Sequence, residues 1–320
     1  MSRVSVIIPT YNRSDRVPAA VASVLEQSTR GTEVLVVDDG SSDRTDEALQ
    51  PFEDRIRLLR HDRNRGVSAA RNTGIRASSA PLVAFLDSDD RWLPGKLEAQ
   101  VRFFREHPRA VACQTREIWV RHGRRVNPAR RHLKPSGDVF EPSLERCLVS
   151  PSAVMLRRVL LDEVGLFDET LPVCEDYDLW LRIGCRYPIH LIEEDLLVRE
   201  GGHPDQLSSS GPGMDRYRIR SLAGLLQSGL LSETQAEAAQ RELARKCRIY
   251  GEGCLKRGRP EEGRYFLGLP GLLARGGPFP PRPPEGGQEP PWAPGEPAPE
   301  RNPEPDRPFG FLLTGGCGRG

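Results

Sequence analysis

Short apolar runs alternate with amphipathic stretches along the first two hundred residues. Val4-Ser5-Val6-Ile7-Ile8 reads as a strand, and Pro9-Thr10-Tyr11-Asn12-Arg13 breaks it. A helix is predicted from about Ser14, with Val17, Ala20, Val21, Val24 and Leu25 on one face. Glu33–Val37 is a second strand, ending in Asp38-Asp39-Gly40-Ser41-Ser42 before a helix over Asp43–Leu49. A third strand near Ile56–Leu59 leads into a segment, Asn64–Gly74, that reads as a helix opening at a Gly-containing turn. The apolar run Leu82–Leu86 suits a buried strand better than a helix, and a helix over Leu93–His107 follows it. Strands alternating with helices predict an α/β fold with a mostly parallel sheet and right-handed crossovers. Polar clusters after successive strands then gather along one edge, where open α/β sheets bind ligands.

That edge is rich in chemistry. Asp87, Asp89 and Asp90 emerge together where the fourth strand ends. Crowded carboxylates repel one another unless a cation or donors lie between them. Hard oxygen ligands on such a turn suit Mg²⁺ or Mn²⁺ carrying a phosphorylated substrate. An acidic turn capping the next helix is the alternative, since Asp is a common N-cap. Tyr11, Asp38, Asp39 and Arg71 share the edge, and with the acidic turn they describe a nucleotide-diphosphate site. Each has a duller reading. Tyr11 could plug a strand end, and Arg71 could pair with a surface acid. One of Asp38 and Asp39 is expected to serve the turn, because neighbours on a strand end point opposite ways. The small residues beside Arg71 (Ala69, Ala70, Gly74) argue for close packing.

Further along, Tyr177, Trp180, Leu181 and Gly184 recur at helical spacing, with Glu175 and Asp176 in the first turn, where the helix dipole favours carboxylates. After a strand around Asp195–Val198, His203 lies in a loop with glycine, proline, Asp205 and Gln206. Met214–Leu230 and Leu231–Arg257 read as two helices packing on the preceding domain, with docking on a partner or membrane as the alternative. From Pro270 the chain is rich in Pro and Gly and is expected to be disordered.

Four motifs, Val-Ile-Ile-Pro-Thr-Tyr-Asn-Arg, Val-Val-Asp-Asp-Gly-Ser-Ser-Asp, Gly-Val-Ser-Ala-Ala-Arg-Asn-Thr-Gly and Phe-Leu-Asp-Ser-Asp-Asp, resemble those of family 2 glycosyltransferases in order and spacing. The resemblance covers roughly residues 1–210. It implies the GT-A fold, a Rossmann-like α/β architecture with a mixed, mostly parallel sheet flanked by helices. It implies a donor half (about 1–115), an acceptor half (about 116–210), a helical C-terminal extension (211–265) and a Pro/Gly-rich tail (266–320). The implied reaction is inverting transfer of a hexosyl or N-acetylhexosaminyl group from a nucleotide-sugar, usually UDP-linked, to a glycan or lipid-linked acceptor. By position, Pro9, Thr10, Tyr11 and Arg13 would hold the donor with Asp38, and Asp39 would accept from the uracil N–H. Arg71 would neutralise the nucleotide side, Asp87 with Ser88 would contact ribose or metal, and Asp89 would be the main ligand of Mn²⁺ or Mg²⁺. His203 would be a further metal ligand, or fold over the diphosphate, or be an ordinary loop residue. An inverting transfer needs a base on the acceptor side, and the resemblance supplies Asp176, with Glu175 as the second candidate. Ser152–Arg158 and Val164–Glu169 resemble the family's strand and short helix beneath the acceptor site, with Phe167 packing in the core.

Composition narrows the classes. A formal net charge of +1 over 320 residues points away from nucleic acid. All but four of the 46 basic residues are arginine, which reflects genomic composition rather than phosphate binding. Arg121–Lys134 is locally basic and reads as a solvated hairpin, with attraction of an anionic acceptor or lipid surface as the alternative. Seven scattered cysteines fit a reducing cytoplasm. Without a signal peptide or membrane-length apolar stretch, the chain is expected to be cytoplasmic, peripheral to the inner face of the membrane at most. Competing readings are a sugar nucleotidyltransferase, a dehydrogenase and a non-catalytic nucleotide-sugar binder. The first two want glycine-rich loops after the first strand, where this chain has Pro-Thr-Tyr-Asn-Arg.

Overall fold

The computed structural model describes residues 3–202 and 213–275; His203, Asp205, Gln206 and the chain beyond 275 lie outside the described residues. The N-terminal part runs β1 (Val4–Thr10), α1 (Val17–Leu25), β2 (Thr32–Asp38), α2 (Thr45–Leu49), β3 (Arg57–Arg60), α3 (Val67–Ala77), β4 (Leu82–Phe85), β5 (Arg91–Trp92) and α4 (Lys96–Glu106). The chain continues through β6 (Ala112–Arg121), β7 (Arg124–Val126), α5 (Phe140–Glu145), β8 (Val154–Arg157), α6 (Arg158–Val164), α7 (Glu175–Gly184) and β9 (His190–Gly201). Three helices close it: α8 (Met214–Gln227), α9 (Glu233–Lys256) and α10 (Pro260–Ala274).

Among the described residues the strands form one sheet in the order β3-β2-β1-β4-β8-β6-β9-β5, with β7 folded back on β6. The first four are parallel. Antiparallel β8 joins β4 to β6, and β9 runs parallel to β6. β1 is buried along its whole length, which is why it reads as a nearly unbroken apolar run. Val4, Val6 and Ile8 enter the core under α1 and α4, while Ile7 enters the core under α3 and α7, as period-two alternation requires.

Two local outcomes differ from the sequence reading. The helix expected from Leu93 begins at Lys96 behind Gly95, without a side-chain cap. Strand β5, paired to β9, separates it from the acidic turn, so that turn does not cap a helix. The tail boundary expected at 266 falls inside α10, where Phe266 and Leu269 are buried against α9 and its neighbours. The Tyr250 hydroxyl donates to Glu262 at 2.8 Å and its ring meets Phe266 edge-on at 4.7 Å. The apolar spacing of this helix outweighs Pro270, which lies in its last turns. No helix among the described residues is long and apolar enough to cross a membrane.

Phe266→Ala is therefore expected to destabilise the protein by about 3 kcal/mol, through lost transfer energy plus a cavity. Urea unfolding of the full chain measures this, and a loss below about 1 kcal/mol would mean that α10 contributes little.

Candidate active site

The carboxyl ends of β1, β2 and β4 open onto a cavity of about 890 Å³ that is also walled by α3, α7, β6, β9 and the start of α8. Its position in the sheet is the one where open α/β folds bind ligands, and its size suits a small-molecule site.

At the donor end, Pro9, Thr10, Tyr11 and Arg13 line the cavity, and Tyr11 is 42% exposed rather than buried as a plug. Asn12 holds this loop in a left-handed conformation (φ 50°) and accepts from the Ser42 N–H at 2.9 Å. The Asp38–Asp39 pair divides its work. Asp39 faces the cavity and accepts from the N–H groups of Arg65 (2.9 Å) and Gly66 (2.8 Å). Asp38, expected among the donor-binding residues, is outside the cavity lining. It is fully buried, accepts from the Ser41 N–H at 2.9 Å, and lies 3.6 Å from the Arg60 guanidinium. Strand alternation sends the two side chains opposite ways, and only one reaches the site. His61 was not singled out in the sequence. Buried behind Asp39, it meets that carboxylate through Nδ1 at 2.6 Å and Thr73 through Nε2 at 2.9 Å. No motif marks it; only the β2–β3 pairing reveals it.

The acidic turn follows β4. Asp87, Ser88 and Asp89 line the cavity. The Asp87 N–H donates to Ser152 Oγ at 3.0 Å, and the Ser152 carbonyl accepts from the Trp92 indole at 2.8 Å, which pins the turn to the floor of the acceptor half. Asp90 accepts from the Glu200 N–H at 3.1 Å, tying the same turn to β9. Burial, then Asp89 and Asp87, push the Asp90 carboxyl well above the usual carboxylate range. Asp87 and Asp89 are then the hard-oxygen pair that faces the cavity, with Asp87 also accepting from Arg71. Two carboxylates suit a Mg²⁺ or Mn²⁺ ion that keeps waters and takes phosphate oxygens from its substrate. No three ligand-type side chains among the described residues stand together as a complete metal cage.

Arg71 joins the donor and acceptor halves. It is 3% exposed on α3 and donates to Asp87 at 2.7 Å and to Glu175 at 2.6 Å, with its guanidinium 5.1 Å from the Phe167 ring centroid. Gly74, one turn on, lets α3 approach β1; a Cβ there would lie 2.4 Å from Ile7 Cγ2. Arg71 thus lines the cavity with both of its terminal nitrogens already engaged by protein carboxylates.

At the acceptor end, Cys174 adopts a left-handed conformation (φ 63°) and turns the chain into α7. This strained turn is a backbone outlier of the kind that gathers at functional sites. The first turn then presents two carboxylates differently. Glu175 is buried against Arg71. Burial pushes its carboxyl up to about 7, Arg71 pulls it back, and Asp176 adds repulsion. Asp176 is less enclosed. It accepts from the Tyr177 N–H at 2.7 Å and from the Cys147 thiol at 3.4 Å, and it faces the cavity. Met214 and Arg218 of α8 complete this wall, so the region assigned from sequence to mere packing reaches the site.

Residues 5–165 match the family model described as Glycosyl transferase family 2. The UDP-Glc:alpha-D-GlcNAc-diphosphoundecaprenol beta-1,3-glucosyltransferase WfgD of Escherichia coli is 35% identical over 181 residues, covering 56% of this chain and 69% of that protein. The succinoglycan biosynthesis protein ExoU of Rhizobium meliloti is 31% identical over 264 residues, covering 77% and 75%. An uncharacterized glycosyltransferase of Rickettsia conorii is 34% identical, but the match spans only 32% of its length. The fold is shared with S. aureus TarS 1-349 in complex with UDP-GlcNAc (TM-score 0.66, 20% identity, 83% of this chain and 78% of that one). It is also shared with the mannosyltransferase PcManGT from Pyrobaculum calidifontis in complex with GDP-Man and Mn2+ (TM-score 0.53, 18% identity, 85% of each).

Arg71→Lys keeps the charge but loses the planar fork that spans two carboxylates. It is expected to cost about 3 kcal/mol, the usual range for breaking a buried pair, read by urea unfolding. Glu175 also sets a pH dependence. Its folded value of about 7 lies above its ordinary 4.5, so between those pH values the folded state holds a proton that the unfolded state has released. Stability must then fall as pH rises through that window. Glu175→Gln should flatten the decline between pH 5 and 8, and an unchanged slope would assign the proton elsewhere.

Proposed function

The chain belongs to glycosyl transferase family 2, and we propose that it is an inverting enzyme moving a sugar from a UDP-linked donor to a hydroxyl of a glycan or lipid-linked acceptor. One observation carries this reading: an acidic turn fit for a metal-diphosphate and a separate carboxylate, Asp176, face one cavity. The name of the E. coli relative, with its UDP-Glc donor and lipid-linked acceptor, supports the same donor and acceptor classes here. Family membership sets aside the nucleotidyltransferase, dehydrogenase and non-catalytic readings.

In this mechanism Tyr11 and Thr10 flank the base, and Asp39, held by Gly66, Arg65 and His61, keeps one lone pair of Oδ2 free to accept from the uracil N–H. A divalent ion held by Asp87 and Asp89 with the donor phosphates would supply neutralisation of the leaving nucleoside diphosphate. Asp176 takes the proton of the acceptor hydroxyl as its oxygen bonds to the anomeric carbon. The bond from that carbon to the diphosphate oxygen breaks on the opposite face, which inverts the centre. Glu175 serves as Arg71's partner and not as the base, because it is buried with its carboxyl accepting from Arg71 at 2.6 Å while Asp176 is the less enclosed of the two. His203, expected as a further metal ligand, lies outside the described residues.

UDP is expected to bind the protein more tightly with Mn²⁺ or Mg²⁺ than with chelator, and Asp89→Ala should remove the difference. Calorimetric affinity that ignores chelator would sink the metal assignment. Asp176→Asn should keep UDP affinity but lose about 10²–10⁴-fold in transfer, the share a general base supplies. Near-normal turnover in that variant would place the base elsewhere.

A further inference from the structure

The acceptor end of the cavity carries a charge that the transfer chemistry above does not use. Trp119, near the end of β6, forms its floor. Its indole N–H donates to Glu117 at 2.7 Å, and the His132 ring lies 5.3 Å away. Two guanidinium groups flank the indole, Arg199 at 5.5 Å and Arg121 at 5.9 Å from the ring centroid. Arg121, His132 and Arg146 all line the cavity. The segment read from sequence as a solvated hairpin keeps its arginines exposed, and two of its residues, Arg121 and His132, border the cavity.

The carboxylates nearby cancel only part of this charge, Glu117 lying 3.7 Å from Arg199. Glu117 is buried, held at about 2 against burial by Lys134 and then Arg199, and already takes the Lys134 ammonium at 3.1 Å and the Ser150 hydroxyl at 3.0 Å. Arg146 pairs with its chain neighbour Glu145, which is half exposed. Among the described residues no carboxylate forms an ion pair with Arg121. His132 reports the resulting field. Its proton affinity is lowered by burial, then by Arg146, Arg131, Arg199 and Arg121. In a chain of net charge +1 this is a local excess, concentrated at one end of one cavity.

Resting on the glycosyltransferase reading, we propose that Arg121, His132 and Arg146 around Trp119 form an anion subsite for a phosphate or diphosphate group carried by the acceptor. Guanidinium forks match phosphate oxygens in pairs, and an enclosed wall strengthens each such bond. On that reading the donor's own diphosphate would lie with its metal at the Asp87–Asp89 turn, so the basic wall calls for a second anion. The indole suits the sugar or lipid carbon next to that anion, because it offers an apolar face beside a cationic rim. The anion then anchors the acceptor while its hydroxyl meets Asp176, which lines the same cavity.

Calorimetric titration of the full chain, first saturated with UDP, tests this. The probes are inorganic diphosphate, geranyl diphosphate and geraniol. Both diphosphates are expected to bind and geraniol is not. Arg121→Ala and Arg146→Ala should each weaken diphosphate binding about tenfold, the usual worth of a charge-assisted bond. Geranyl diphosphate binding at least tenfold tighter than inorganic diphosphate assigns a lipid-linked acceptor; equal affinities assign a soluble phosphorylated one. Arg121→Glu, with its fold checked by thermal melting, should abolish binding outright. Diphosphates that fail to bind below millimolar concentration, or that bind the arginine variants as well as the parent, overturn the subsite. The initial UDP titration separately judges the donor site, so failure of the glycosyltransferase reading would show there first.

Discussion

A single buried guanidinium sets the geometry of this site. Arg71 has left water, and an isolated charge there would be prohibitively costly. It is tolerated because two carboxylates from different halves of the chain converge on it, Asp87 from the β4 turn and Glu175 from α7. The planar fork demands that both arrive at hydrogen-bond distance, so the separation between the acidic turn and the first turn of α7 is not free to vary. Asn72, the next residue on α3, adds a second clamp. Its amide donates to the Phe167 carbonyl and accepts from the Phe167 N–H, at 2.9 and 3.1 Å. One helix, brought close to β1 by Gly74, therefore positions both ends of the reaction.

The charge left over after that pairing shapes the rest of the cavity. One cation for two carboxylates, with Asp176 and Asp89 close by, leaves the middle of the site negative. Burial raises the carboxyls of Glu175 and Asp90, and repulsion from neighbouring carboxylates adds to it. The acceptor wall has the opposite sign. Arg199 stands between the two regions. Burial opposes its charge, and Glu117, Asp90, Asp87 and Asp176 more than restore it. A substrate that crosses the cavity passes from acid to base within one enclosed space, which orients a dipolar or multiply charged ligand before any contact is made.

Much of the donor half was legible because its determinants are local. The Val and Ile runs of β1 and β2, the glycine at the start of α3 and the acid-ended β4 each declare themselves within about ten residues. The Arg71–Glu175 pair did not, because its partners are 104 residues apart and nothing in either segment names the other. Proximity of the right kind to a nucleotide suggested a donor role for Arg71, and only the packing of α3 against α7 revealed a structural bridge. Asp38 and Asp39 could be told apart in principle by alternation but not in sign, since register decides which one faces the cavity. The α10 helix is hidden in the sequence because Pro270 falls within it and the Pro- and Gly-rich stretch follows directly, while Phe266 and Leu269 find their partners on α9. The basic hairpin keeps the exposed arginines that its charge predicts, and what the sequence does not show is that Arg121 and His132 also border the cavity beside Trp119.

The C-terminal helices enter this argument through α7. Tyr177 and Leu181 of that helix pack in the same core as Leu222, Leu243 and Phe266 of the extension. The Tyr177 hydroxyl donates to the Leu144 carbonyl at 2.5 Å, fixing α7 against α5 as well. The face of α7 opposite its active first turn is therefore held by α8, α9 and α10. Met214 and Arg218 then bring the start of α8 into the cavity wall beside Asp176. A helical extension so placed can differ between relatives without disturbing β1, β2 or the acidic turn. It can still reshape the space in which the acceptor hydroxyl must lie. The sheet edge and the C-terminal helices thus meet at one helix, and the ion pair at its first turn is what keeps the two in register.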